Sequence, residues 1–232
     1  MPMQTLRASL APVAEAFAGK PVLACCKGIE LGSGSGPAQV IADIAPAALP
    51  GVLTGPSFSH DLARDLPTAI TLALGDDALG ARVQGALSTP SLRLYRTTDV
   101  IGAQIGGALK NVMAIACGAA IGAGLGDSAR AALMTRGFAE INRLAQARGA
   151  HAETLLGLSG FGDLVLTCTS VKSRNYQHGI AIGAGTVPDA KATVEGVKTA
   201  QAIAATADPD LMPVTCMVAA LLQGKVSLDQ AI

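Results

Sequence analysis

Residues 106–124 read GGALKNVMAIACGAAIGAG, a small and apolar run that holds one lysine and one asparagine. A buried ammonium group costs several kcal/mol unless it is paired or neutralised. One interpretation is a lysine at a helix edge that reaches solvent. We favour the other, in which glycines and alanines one turn away let backbone segments close around Lys110. Desolvation by such a wall lowers the pKa of a lysine, which suits proton transfer.

The region around this run also has the length of a membrane span. Residues 101–125 contain small-x-x-x-small pairs at Gly102/Gly106 and Gly118/Gly122, a spacing found where membrane helices pack. A lysine at the centre of a span costs about 2.5–3.5 kcal/mol on insertion scales. We therefore predict a buried helix in a protein without a membrane span.

Composition limits both the core and the partners. The 232 residues are 50% hydrophobic but only 3% aromatic, and there is no Trp. The core must therefore be built from Ala, Leu, Val and Ile, with helices packed through small residues. Seventeen Lys and Arg balance 17 Asp and Glu, so no overall field attracts nucleic acid or an anionic membrane. A bound anion has to be held by a local cluster.

Cysteine and histidine usage points to a reduced setting without metal. The five cysteines have no C-x-x-C spacing, and residues 1–12 lack the continuous apolar core of a secretory signal. We expect a cytoplasmic protein. Cys25 and Cys26 lie in an apolar run and are predicted to be buried. None of the three histidines has a partner spacing typical of metal binding.

Two different patterns divide the chain. Apolar runs bounded by Gly and Pro predict strands at 21–28, 51–56, 68–74 and 92–98, separated by helices at 3–18, 37–48, 59–65 and 76–88. Later residues predict only helices, at 99–123, 128–149, 151–158, 173–185, 195–207 and 213–223. The predicted fold class is α/β followed by all-α, with domains at 1–97 and 98–232.

Four clusters could carry chemistry: Lys27-Gly28 after a strand, Gly55-Pro56-Ser57-Phe58 after the next, Lys110-Asn111, and GFGDLVLTCTSVKSRN at 160–175. Ligands collect at the carboxyl ends of strands in open α/β sheets. In the fourth cluster, Asp163 is predicted to lie in a tight loop and Ser173-Arg174-Asn175 to begin a helix. Arginine offers a planar fork of donors that matches phosphate. Taken alone, the first cluster favours a lysine that reaches solvent, a turn with a capping serine explains the second equally well, and a capped surface helix is the alternative for Ser173-Arg174-Asn175.

Six short motifs occur in order along the chain: K-G, G-P-S-F, G-G-A-L-K-N-V, G-x-G-D-L-V-L-T-C-T, S-R-N and V-E-G. Together they resemble NAD(P)-dependent glycerol-3-phosphate dehydrogenase of the bacterial type. That family reduces dihydroxyacetone phosphate to sn-glycerol 3-phosphate for phospholipid synthesis. Its fold is a Rossmann-like domain followed by a helical substrate domain. The resemblance implies NADP or NAD as cofactor, a phosphorylated small-molecule substrate, and a homodimer as the assembly to test.

The resemblance also implies roles for individual residues. Lys110 is the proton acceptor in the oxidising direction and the donor in the reducing direction. The substrate contacts are Lys27, Gly55, Ser57, Lys110, Asp163, Ser173, Arg174 and Asn175. The cofactor contacts are Lys27, Ser59, Arg174, Thr193 and Glu195. At position 59 the family more often has alanine.

One family feature is missing from the 232 residues. The G-x-G-x-x-G phosphate loop is absent, since GSGSGP at 32–37 places Pro37 where its last glycine should be. We expect a fragment, or a misplaced start, of an ordinary enzyme, and expect the chain to be inactive by itself. The alternatives are a non-catalytic product that binds phosphorylated metabolites or assembles with a partner, and a related lysine-dependent hydroxyacid dehydrogenase. The choice between NADH and NADPH stays open.

Overall fold

The computed structural model describes residues 1–190 and 192–231, and its first part is built on one mixed sheet. The strands are β1 (Pro21–Ala24), β2 (Leu49–Thr54), β3 (Thr68–Leu74) and β4 (Leu92–Thr97), in the spatial order β1-β2-β3-β4. β1 and β2 are parallel, β2 and β3 antiparallel, and β3 and β4 parallel. All four predicted strands are present, although β1 stops at Ala24, four residues before the predicted end.

Short helices flank this sheet. They are α1 (Leu6–Leu10), α2 (Pro37–Ile44), α3 (Ser59–Leu62) and α4 (Asp77–Leu87). The prediction of one continuous helix over 3–18 is wrong, because 3-10 segments at Met3–Thr5 and Ala11–Phe17 flank α1. Pro12 supplies the reason, since proline lacks an N–H and its ring collides with the carbonyl four residues earlier.

The second part is helical, and no strand occurs between residue 98 and residue 231 outside the undescribed position 191. Its helices are α5 (Val100–Gly122), α6 (Gly126–Ala147), α7 (Ala152–Leu156), α8 (Asp163–Thr169), α9 (Arg174–Gly183), α10 (Glu195–Ala204), α11 (Pro213–Leu222) and α12 (Leu228–Ala231). The fold class of α/β followed by all-α is confirmed. The division into domains at residue 97, where β4 ends, stays a prediction.

Helix α5 forms the centre of the helical part. Asp99 caps its first turn, because Oδ1 accepts the N–H of Gly102 at 2.7 Å, while Oδ2 accepts the N–H of His151 at 2.8 Å and so ties α5 to the start of α7. The helix is long and apolar enough to cross a membrane, but 83% of its most apolar window is buried inside the protein. It is a core helix, as predicted.

The segment before Asp163 differs from its predicted loop. Leu158–Gly162 forms one π-helical turn that runs directly into α8, and Asp163 is the first residue of that α-helix. The tight approach that the glycines allow is real, since a Cβ on Gly160 would overlap the carbonyl of Leu155. The prediction of a loop at Asp163 is therefore wrong. The helical turns hold this carboxylate on a rigid element that packs against α5.

Candidate active site

A cleft of about 620 Å³ opens where β1 and β2 end beside the helical part. All of the predicted site residues except Gly55 line it, namely Lys27, Ser57, Ser59, Lys110, Asp163, Ser173, Arg174, Asn175, Thr193 and Glu195. The parallel pairing of β1 with β2 explains how Lys27, Ser57 and Ser59 come together, because the carboxyl ends of parallel strands meet at one edge of a sheet. Helices α5, α8, α9 and α10 supply the rest.

One buried carboxylate holds two lysines at the floor of the cleft. Asp163, which is 1% exposed, accepts Lys110 Nζ on Oδ1 and Lys27 Nζ on Oδ2, each at 2.6 Å. Both oxygens of the carboxylate are therefore used by charge-assisted hydrogen bonds. Two ammonium groups facing one carboxylate leave a net positive centre in a poorly solvated place, so an anion is attracted to this end of the cleft.

The ammonium of Lys110 is buried, with the whole residue only 7% exposed. Burial and, to a smaller extent, the neighbouring charge of Lys27 lower the pKa of Lys110 from 10.5 to about 8, against the opposing effect of Asp163. Most Lys110 side chains are then protonated at pH 7, yet a substantial fraction is neutral near pH 8. The group can both donate and accept a proton near neutral pH.

Gly55 lies behind Lys27 and does not line the cleft. Its carbonyl accepts Lys27 Nζ at 3.0 Å and the hydroxyl of Ser57 at 3.2 Å. This position requires glycine, because its φ is +148° and a Cβ there would lie 3.0 Å from Ile70 Cα. The close turn after β2 thus fixes the position of the Lys27 ammonium, and Ser57 lies half-buried beside it.

The S-R-N block begins α9, as predicted. Ser173 caps that helix by accepting the N–H of Tyr176 at 3.2 Å, and it is 4% exposed. Arg174 is exposed into the cleft, whereas Asn175 is buried. The amide of Asn175 donates to Asn111 Oδ1 at 3.0 Å and accepts the N–H of Gly196 at 2.9 Å. Asn175 therefore joins three helices, α5, α9 and α10.

Glu195 begins α10 at the other end of the cleft. Its Oε1 accepts the N–H of Met3 at 3.1 Å, and burial raises the pKa of its carboxyl group. The Glu195 Oε2 atom would lie 2.9 Å from a Cβ on Gly28, a residue with φ of +155°. Only glycine fits there. The segment after β1 and the start of α10 are therefore in close contact.

Two features of the cleft were not predicted. Thr167 Oγ1 accepts Lys110 Nζ at 2.7 Å and lies 3.4 Å from Asp163 Oδ1. Its position four residues after Asp163 in a helix is the signal that could have found it. Cys25 and Cys26 line the cleft, Cys25 exposed and Cys26 half-buried, so the prediction that both are buried is wrong. β1 ends at Ala24, which leaves both thiols in the connecting segment.

Within the described ranges 1–190 and 192–231, no group of three or more His, Cys, Asp or Glu side chains could hold a metal ion. The cleft is lined by cationic side chains, the carboxyl groups of Asp163 and Glu195, two thiols, and hydroxyl or amide groups. His60 is exposed, and His151 precedes α7. His178 is half-buried, and burial lowers its pKa.

Comparison with known proteins covers nearly the whole chain. The model of the NAD-dependent glycerol-3-phosphate dehydrogenase N-terminus matches residues 1–79, and the model of the C-terminus of the same family matches residues 99–232. The chain belongs to the NAD-dependent glycerol-3-phosphate dehydrogenase family. Lys27, Gly55 and Ser57 fall in the first match, and Lys110, Asp163 and Arg174 in the second.

Curated members of this family resemble the chain along its full length. The glycerol-3-phosphate dehydrogenase [NAD(P)+] of Cereibacter sphaeroides is 56% identical over 234 residues, which cover 100% of the chain and 77% of that protein. The corresponding protein of a Ruegeria species is 57% identical, with coverage of 100% and 73%. The crystal structure of glycerol-3-phosphate dehydrogenase from Coxiella burnetii superimposes with a TM-score of 0.92 at 33% identity, and the match covers 73% of that structure.

Proposed function

We propose that this chain carries the substrate site and the proton-transfer group of an oxidoreductase that interconverts dihydroxyacetone phosphate and sn-glycerol 3-phosphate, the precursor of phospholipids. One observation carries the proposal. The buried Lys110 ammonium and the Lys27 ammonium share Asp163 in a cleft that Arg174 also lines. This arrangement combines a proton donor and acceptor poised near neutral pH with cations for a phosphate.

Lys110 supplies the proton in this proposal. In the reducing direction its ammonium donates to the oxygen that develops negative charge on the substrate. In the oxidising direction the neutral amine accepts the hydroxyl proton. The pKa of about 8 supports both uses, because neither form of Lys110 is scarce near neutral pH. Asp163 and Thr167 orient the amine through contacts of 2.6 and 2.7 Å.

Arg174 is the main phosphate anchor in this proposal. Its guanidinium is exposed into the cleft at the start of α9, where it can bind phosphate oxygens through two parallel hydrogen bonds. Lys27 and Asn175 complete the set. Asn175 donates one hydrogen bond and accepts one within the protein, so its second N–H is left to donate to a phosphate oxygen.

NADP or NAD fits the same cleft through Lys27, Ser59, Arg174, Thr193 and Glu195. All five of these residues line the cleft, and they offer charged and hydroxyl groups to the polar parts of the cofactor. When bound, the nicotinamide supplies or accepts the hydride. The role of the chain's own residues is to bind the cofactor's polar groups and to hold Lys110 next to the substrate oxygen.

We also propose a cytoplasmic location and a homodimer. The five cysteines are all free thiols, which suits a reducing compartment. A groove of about 510 Å³ between α5, α6, α11 and α12 is lined mostly by apolar side chains, among them the exposed Leu125 and Met217. Apolar surface of this kind supports a partner copy. Light scattering on the purified chain measures its mass in solution.

Turnover tests the main proposal. The residues of the Cereibacter sphaeroides relative that precede its matched region are fused in front of Met1, and NADPH oxidation by dihydroxyacetone phosphate is measured. Lys110→Met in this fusion should lower kcat by about 10²–10⁴-fold, the range typical of general acid–base groups. Binding of glycerol 3-phosphate should persist, because the phosphate anchors remain.

One control variant and one further test variant separate the proposal from its alternatives. Lys225→Met removes an exposed lysine and should leave kcat unchanged. Arg174→Ala should raise KM for dihydroxyacetone phosphate strongly, with little effect on the reduction of unphosphorylated dihydroxyacetone. A Lys110→Met fusion that keeps more than a tenth of kcat contradicts the proton-transfer role. Equal losses for both substrates in Arg174→Ala would instead favour a hydroxyacid dehydrogenase.

A further inference from the structure

The small-x-x-x-small pair in α5 has a partner in α9. Gly118 and Gly122 lie four residues apart on α5, and Gly179 and Gly183 have the same spacing on α9. We call these four residues the glycine seam. They face one another across the interface between α5 and α9, two helices that pack closely against each other.

The seam is a contact of backbone with backbone. A Cβ on Gly118 would overlap the carbonyl of Tyr176 and lie 2.9 Å from Ile180 N. A Cβ on Gly179 would overlap the carbonyl of Ile115 and lie 2.9 Å from Ala119 N. Gly122 and Gly183 are blocked in the same way by the carbonyls of Ile180 and Ala119.

Such a contact leaves little freedom in the distance between the helices. Helices separated by side chains lie about 8–10 Å apart, and rotamer changes can absorb small shifts between them. Glycine pairs allow a closer approach in which only main-chain atoms meet. Main-chain atoms of helices cannot rearrange locally. The seam therefore fixes both the distance between α9 and α5 and the position of α9 along the α5 axis.

Both helices carry site residues just before the seam. Asn175 lies one turn before Gly179, and Asn111 lies two turns before Gly118. Their amides meet at 3.0 Å, so α5 and α9 are in contact at the cleft as well as at the seam. Lys110 and Arg174 are the residues immediately next to these two asparagines. Arg130 of α6 also contacts α9, because its Nη1 donates to the hydroxyl of Tyr176 at 3.2 Å.

We propose that the glycine seam is a positioning device, which holds Arg174 and Asn175 at a fixed offset from Lys110 and so sets the affinity for the phosphate of the substrate. The inference rests on the proposed function of the cleft. The side-chain contacts of Lys110 are to α8, through Asp163 and Thr167. A displaced α9 therefore weakens phosphate binding while the proton-transfer group keeps its surroundings.

The test uses the 232-residue chain and two measurements. Calorimetry gives the affinity for sn-glycerol 3-phosphate, and NMR of the lysine side chains gives the pKa of Lys110. Gly179→Ala should weaken binding at least tenfold, and Lys110 should titrate as in the parent. Gly85→Ala is the matched control, because Gly85 is in helix α4 and a Cβ there meets nothing within 4 Å. Its affinity should equal that of the parent.

The outcomes are distinguishable. A folded Gly179→Ala with parental affinity overturns the positioning role. So does a loss of affinity accompanied by a shifted Lys110 titration, because general loosening of the site moves both quantities. If Gly179→Ala does not fold, Gly183→Ala decides, with at least threefold weaker binding expected and parental affinity counting against the seam. A parent chain that does not bind sn-glycerol 3-phosphate refutes the proposed function, and the positioning role with it.

Discussion

Lys110 should make the stability of this protein depend on pH in an unusual direction. The perturbation is Lys110→Met, which removes the titrating amine but keeps an unbranched side chain in the same wall. Asp163 keeps its second partner in the variant, since Lys27 Nζ lies 2.6 Å from Oδ2. The quantity of interest is the unfolding free energy of the parent minus that of the variant, followed from pH 7 to pH 9.5.

The sign follows from the lowered pKa. Lys110 titrates at about 8 in the folded chain and at 10.5 when it is unperturbed, so between these values the unfolded chain binds more protons. Stability contributed by this group therefore rises with pH. The whole interval is worth about 3 kcal/mol at 1.36 kcal/mol per pH unit, and the part between pH 7 and pH 9.5 is about 2 kcal/mol.

Urea unfolding at several pH values measures this difference. Subtracting the unfolding free energy of the variant removes the contributions of groups that titrate in both proteins. Lys225→Met is the control for the loss of an exposed ammonium group. Lysine side-chain NMR on the parent gives the Lys110 pKa independently. A difference that is flat between pH 7 and pH 9.5, or that falls, would refute the reasoning, because Lys110 would then have an ordinary or raised pKa.

Three other predictions concern the chain as a whole. Residues 1–232 alone should oxidise NADPH with dihydroxyacetone phosphate at near-background rates, because they contain no G-x-G-x-x-G loop to position the cofactor. Such positioning can lower the barrier by about 7–11 kcal/mol. Ordinary turnover would show that the loop is dispensable. Glu140→Ala should lower the unfolding free energy in urea by about 3 kcal/mol or more relative to the exposed control Glu15→Ala. The buried Glu140 carboxylate accepts the N–H of Val214 at 2.6 Å and both the N–H and the hydroxyl of Thr215. Equal losses of unfolding free energy in the two variants would contradict a stabilising role of these hydrogen bonds. Ellman's reagent should modify Cys25 in the native chain but Cys117 and Cys168 only after unfolding, since both are 0% exposed; mass spectrometry of the labelled peptides would expose the reverse order.

Local patterns were enough to locate most elements. The strand at 68–74 is apolar, rich in β-branched residues and bounded by Pro and Gly, and it is observed at Thr68–Leu74. Asp99 and Ser173 have side chains that cap helices, and both do so. Where two tendencies compete within a few residues, the sequence was insufficient. Pro12 broke the helix predicted over 3–18, and the glycine-rich run before Asp163 formed a π-helical turn instead of a loop.

The sequence was also enough to predict a set of site residues, because an ordered series of short motifs marks the family even when each motif alone has a simpler explanation. It determined which residue types are present and, through the lone lysine in an apolar run, that one amine is buried.

Only the tertiary structure decided which atoms meet. Asp163 reaches Lys27 over 136 positions of the chain and Lys110 over 53. No local pattern encodes such pairs, because their approach depends on how β1, α5 and α8 pack together. The same holds for Gly55, whose contribution is a carbonyl behind Lys27, and for Gly118 and Gly122. Their spacing is visible in the sequence, but a glycine pair specifies only that something comes close, and the identity of that partner, α9, is a property of the folded chain.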